Sequence, residues 1–96
     1  MAKAKTFDVA DYLDSPEVIA EYLSEAFQTR DVTFIADAIG HVARAKGMAD
    51  VAKSTGLSRE GLYRSLSAQG RPELDTAMKV LESLDMELVV RPKDAA

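Results

Sequence analysis

Five α-helices closed by one short C-terminal strand, in a single all-α domain, are what this chain of 96 residues predicts. Three observations carry that expectation. Apolar residues recur at helical spacing in two long segments, each opened by a capping residue. Shorter helical segments follow, punctuated by Gly47, Gly56 and Gly70. Only Met86 to Arg91 alternates with the period of two that a strand requires, and Pro92 stops it.

Met1 to Leu13 lacks a clear period and reads as an N-terminal arm, leaving a domain over residues 14–92 and a short tail over 93–96. In "DSPEVIAEYLSEAFQ", Ser15 is placed to cap a helix, Pro16 suits its first position and Glu17 complements its positive dipole end. Val18, Ile19, Tyr22, Leu23, Ala26 and Phe27 form its apolar stripe. Asp31 is placed to cap a second helix from about Val32 to Lys46, with Phe34, Ile35, Ala38, Ile39, Val42 and Ala43 as its stripe. Gly40 weakens that helix by roughly 1 kcal/mol relative to alanine, which is tolerable where a neighbouring helix packs close. Gly47 ends it, with Arg44 and Lys46 complementing the dipole. A short helix from Met48 to Ser54, the turn at Gly56, and a helix capped by Ser58 and running to about Leu66 come next. After the loop "SAQGRPEL", a fifth helix from Asp75 to Leu84 is expected to bury Ala77, Met78, Leu81 and Leu84.

Composition excludes several kinds of chemistry. Without cysteine there is no disulfide framework, thiolate nucleophile or cysteine zinc site. His41 is the only histidine, so no histidine cluster holds a metal; on its helix it reads as a partly exposed surface residue. No nucleophile–base pair or phosphate-cradling glycine loop stands out, so the expectation is no enzyme, no cofactor and no metal. The N-terminus lacks the apolar run of a signal peptide or membrane anchor, which points to a cytoplasmic protein. Glu17, Glu21 and Glu25 read as a solvated helix face, or alternatively as an acidic patch facing a basic protein.

The formal net charge of −4 is unevenly placed. Residues 1–40 carry three bases against eight acids, and residues 73–96 three against six. Residues 41–72 carry six bases against two acids. Since local field steers a partner more than whole-chain charge does, a polyanion suits the middle third alone.

That third holds "DVAKSTGLSREGLYRSLS". Two helices crossing steeply need a small residue at the contact, a turn residue that tolerates positive φ, and apolar anchors. Ala52, Gly56 and the trio Leu57, Leu62 and Leu66 fit those roles. With the leucines turned inward, Arg59, Glu60, Tyr63 and Arg64 point outward beside the capping Ser58, and Gly61 permits close backbone approach. Arginine can bond a guanine edge bidentately, glutamate can accept from cytosine, and tyrosine offers a hydroxyl or packs on a thymine methyl.

The segment "GMADVAKSTGLSREGLYRSLS" resembles the helix-turn-helix of Cro and lambda-repressor type. With "DSPEVIAEYLSEAF", "HVARAKGM" and "GRPELDTAMKVLESLDMEL", the chain from about Asp14 to Leu88 is similar to the addiction-module antidote proteins, HigA-like antitoxins of type II toxin–antitoxin operons. The resemblance implies a five-helix lambda-repressor-like helix-turn-helix domain that acts as a nucleoid-associated homodimer. It implies two further partners: double-stranded operator DNA, through which such proteins repress their own operon, and a small basic toxin of the RelE type, which they neutralise. It places base reading at Ser58, Arg59, Glu60, Tyr63 and Arg64, and phosphate contacts at Ala49 or Asp50, Lys53, Thr55, Ser67 and Arg71. Phage repressors often have glutamine at the first position of each motif helix; Met48 and Arg59 stand there instead, and Ser65 replaces a usual apolar residue. A phage-derived repressor without a toxin and a helical protein-interaction module are the alternatives. The strand from Met86 to Arg91 and the helix before it are the expected dimer surface, since a lone edge strand invites pairing with its copy.

Overall fold

The structure is a computed structural model that describes residues 13–94. The N-terminal arm therefore lies outside the described residues except for Leu13, which is buried in the core. Five helices follow in chain order: α1 (Pro16–Gln28), α2 (Val32–Lys46), α3 (Met48–Thr55), α4 (Arg59–Ser65) and α5 (Leu74–Ser83).

Local chemistry sets the ends of the first two. The Ser15 hydroxyl accepts from the Val18 N–H at 3.1 Å, and Pro16 occupies the first turn, where its missing N–H is harmless. The α1–α2 corner turns at Arg30, whose φ is +59°, and is held by the Thr29 hydroxyl donating to the Ala26 carbonyl at 2.7 Å. One carboxylate oxygen of Asp31 then accepts from the Thr33 N–H at 3.1 Å, the Thr33 hydroxyl at 2.9 Å and the Phe34 N–H at 3.3 Å.

Those bonds favour the charged carboxylate. The Thr33 hydroxyl first, then the Phe34 N–H, hold Asp31 below its ordinary value of 3.8, against a small opposing effect of desolvation. A depressed carboxyl contributes stability above its unfolded value and loses it as pH falls through the folded value. Asp31→Ala is therefore expected to lower the melting temperature at pH 7, with the gap to the native chain narrowing below about pH 4. Melting curves from pH 7 down to 2.5 check this; a gap that widens toward acid contradicts the capping role.

The core is built around α2, which packs against all four other helices. Ile39 and Val42 of α2 meet Leu23 of α1, Val51 of α3, Leu62 of α4 and Val80 of α5, all buried. Two expected core residues are not in it. Phe34 is 53% exposed because its side chain leaves α2 on the flank carrying Asp37 and His41, off the buried stripe. Met78 is 52% exposed because α5 buries Val80 and Leu81, with Leu84 just beyond its end, and turns the Leu74–Met78 flank outward.

The expected strand is absent among the described residues, leaving an all-helical fold. A strand needs a ladder partner, and the described residues offer Met86 to Arg91 none. The segment instead begins as the cap of α5. Asp85 adopts φ +61°, its N–H donates to the Glu82 carbonyl at 3.0 Å, and the Met86 N–H donates to the Leu81 carbonyl at 2.9 Å. This is the six-to-one and five-to-two pattern that ends many helices, with aspartate where glycine is usual. No helix among the described residues is long and apolar enough to cross a membrane.

Candidate nucleic-acid interface

The basic third of the chain folds as α3, a three-residue connection and α4. Met48 and Val51 sink α3 into the core, and Leu62 and Leu66 do the same for α4 and its end. Between them, Gly56 closes α3 at φ +78°, donating to the Ala52 carbonyl at 2.9 Å. The Thr55 hydroxyl donates to the Val51 carbonyl at 2.8 Å and accepts from the Leu57 N–H at 3.2 Å, so it clasps the turn. Ala52 and Leu57 are half-buried against the core. The Ser58 hydroxyl accepts from the Gly61 N–H at 3.0 Å and so starts α4, leaving its own proton free to donate outward.

Leu62 and Leu66 define the inward side, and the opposite side of α4 is open. Arg59, Glu60, Tyr63 and Arg64 are all exposed on this one short helix. On α3, Ala49 and Lys53 are exposed one turn apart, as is Asp50. Arg71 shares a shallow cleft with Arg64, Ser58 and Gly61, which brings a fourth base beside the helix. Ser67 is half-buried, and its hydroxyl donates to the Arg64 carbonyl at 3.0 Å, so it finishes α4. The ensemble is a mainly cationic helix face with one aromatic, Tyr63, and two acids, Glu60 and Asp50. Its guanidinium, carboxylate and phenol groups have the donors and acceptors that base edges require.

A family profile described as "Probable addiction module antidote protein" matches residues 3–92. The chain belongs to that family. An antidote of this kind implies a toxin as its partner. A protein of Haemophilus influenzae described as "Uncharacterized protein" is 44% identical over 87 residues, which are 91% of this chain and 90% of that one. No solved structure matches it.

Two residues that position α4, Arg44 and Gly70, escape a reading of the sequence, and a third, Gly40, meets the close packing that its place in a helix suggests. Arg44 reaches from α2 to the Leu66 carbonyl at 3.3 Å, tying the end of α4 to the central helix. Gly40 lies beneath the same carbonyl, where an added Cβ would come within 2.1 Å of the oxygen. Gly70 packs equally tightly, since a Cβ there would meet the Ser65 carbonyl oxygen at 2.2 Å. Gly61 does something more local than expected: a Cβ would crowd the capping Ser58 hydroxyl at 2.9 Å. His41 is half-buried, with Nδ1 2.9 Å from the Tyr22 hydroxyl and Nε2 3.6 Å from Asp37, so it links α1 to α2. Burial first, then the Asp37 charge, raises the Tyr22 pKa, which keeps the phenol neutral and hydrogen-bonding.

Proposed function

We propose that this antidote is a sequence-specific DNA-binding antitoxin that represses its own operon and neutralises a small basic toxin. The observation that carries the DNA part is the outward face of α4. Arg59, Glu60, Tyr63 and Arg64 project together from a helix locked to the core through Leu62 and Leu66, within the one stretch of the chain where bases outnumber acids. In this reading α3 and α4 are a helix-turn-helix of lambda-repressor type and α4 is its recognition helix. Ala49, Lys53 and Arg71 reach phosphates around it, and Ser67 and Thr55 hold the helices in register from their own internal bonds.

The toxin part rests on family membership and on charge. Glu17, Glu21 and Glu25 of α1 are exposed and far outnumber nearby bases, which suits a basic protein surface. The deciding experiment is co-purification with the product of the adjacent gene, combined with a gel shift on the promoter upstream of both. The expected result is a stable complex and retarded promoter DNA, with log affinity falling against log salt at about −0.9 per phosphate contact. A promoter bound no better than random DNA at 150 mM salt sinks the repressor reading.

A further inference from the structure

We infer that the groove between α1 and the segment after α5 receives an apolar, basic strand of the toxin, which pairs with the backbone of residues 87–91. The inference deepens the toxin reading above and rests on it. The groove has a volume of about 510 Å³. Buried Leu23 and Leu81 line it together with half-buried Phe27 and Met86. Leu88, 45% exposed, and Val89, 75% exposed, are the parts of the lining left most in water. An apolar hollow kept open in this way suits the side chains of a partner.

The backbone decides what form the occupant takes. The Met86 N–H is used in capping α5, but residues 87–91 make no main-chain hydrogen bond among the described residues. Left in water, those groups cost nothing; covered by an apolar partner, each needs a donor or an acceptor. A helix bonds its own main chain and leaves them dry, whereas an added strand offers both kinds of group at the matching spacing. Side-chain period agrees. Met86, Leu88 and Val90 alternate with Glu87, Val89 and Arg91 up to Pro92. The segment has the pattern of a strand without a ladder, and a partner from outside the chain supplies one.

Charge selects whose strand it is. Glu17, Glu21 and Glu25 are exposed on α1, each three residues before Ala20, Ser24 and Gln28, which line the groove. That spacing makes them neighbours on the helix surface. Glu87 adds a fourth carboxylate, against the guanidinium groups of Arg30 and Arg91. The excess of acid repels DNA and, across a two-fold axis, repels a second copy of itself. It attracts a basic protein. None of the lining belongs to α3 or α4, so Arg59, Glu60, Tyr63 and Arg64 are not used by this occupant.

Calorimetric titration of the full chain with the purified product of the adjacent gene tests this. It compares the native protein with Leu88→Pro, Val89→Pro, Leu88→Ala and Val89→Ala, and with Glu21→Lys and Glu25→Lys together. All four positions are exposed, so melting temperatures are expected to stay at the native value. Successive N–H groups of a strand point to opposite edges, so one of the two prolines is expected to weaken binding by roughly 100-fold. Its alanine counterpart is expected to cost about 10-fold at most, and the charge reversal about 10-fold, less at high salt. Prolines no worse than the alanines overturn the strand, and a charge reversal without effect overturns the groove. A native chain that binds while every variant binds equally keeps the toxin reading and rejects this site. A native chain that binds nothing rejects the toxin reading and the site with it. Sedimentation adds a last outcome: prolines that abolish self-association of the native chain but spare the complex give the groove to a second copy and overturn the inference.

Discussion

Gly40→Ala is expected to destabilise the protein by on the order of 2 kcal/mol, although alanine is the better helix former by about 1 kcal/mol. The new Cβ lies 2.1 Å from the Leu66 carbonyl oxygen and 3.1 Å from its carbon, and neither belongs to a side chain that can swing away. Relief requires α2 and the end of α4 to part by roughly an ångström, which also stretches the 3.3 Å bond from Arg44 to that carbonyl. Interiors resist such shifts because they are close-packed. The same movement tilts α4, so promoter binding is expected to fall further than the loss of folded protein explains. Gly56→Ala is the control. Gly56 has φ +78° but nothing within 4 Å of an added Cβ, so its cost is conformational, about 1 kcal/mol. Urea unfolding of both variants separates crowding from backbone strain. A Gly40→Ala chain as stable as the native one shows that α4 does not rest on α2 as described.

What the sequence reveals about this fold is what neighbours along the chain decide. Ser15, Pro16 and Asp31 state where α1 and α2 begin, because a cap is an interaction over three residues. The spacing of Leu62 and Leu66 turns Glu60, Tyr63 and Arg64 outward, whereas Arg59, three residues before Leu62, is exposed because it opens the helix. Less legible is anything that depends on what lies across the core. Leu74, Ala77, Met78, Val80, Leu81 and Leu84 spread over an arc a little under half the circumference of α5, so two overlapping stripes are possible. Leu81 belongs to both, and packing on α2 and α3 chose the one containing Val80. Alternation over Met86 to Arg91 satisfies the strand period but says nothing about a pairing partner, and Asp85 in place of glycine hides the helix cap that starts the segment. Arg44 looks like a dipole complement on its own helix; its bond to the Leu66 carbonyl spans 22 residues of sequence.

On the repressor reading, Arg59→Ala and Arg64→Ala are each expected to weaken promoter binding by about 10- to 100-fold per copy of α4, the cost of roughly 1–3 kcal/mol for losing a base contact. Both side chains are exposed and bond nothing among the described residues, so stability should stay within about 0.5 kcal/mol of the native value. The comparison that matters is between the promoter and random DNA of equal length. An arginine that reads a base loses affinity for the promoter far more than for random DNA; one that meets only phosphate loses both alike and lowers the salt slope by about 1. Lys53→Ala is expected to behave in the second way. Glu60 sharpens the test, because an acid in a field of phosphates costs affinity unless a cytosine amino group bonds it. Glu60→Ala is therefore expected to tighten binding to random DNA while narrowing the preference for the promoter. Equal losses on both DNAs for Arg59→Ala and Arg64→Ala, with no change in preference for Glu60→Ala, would mean that α4 rides along the backbone and that sequence is read elsewhere on the chain.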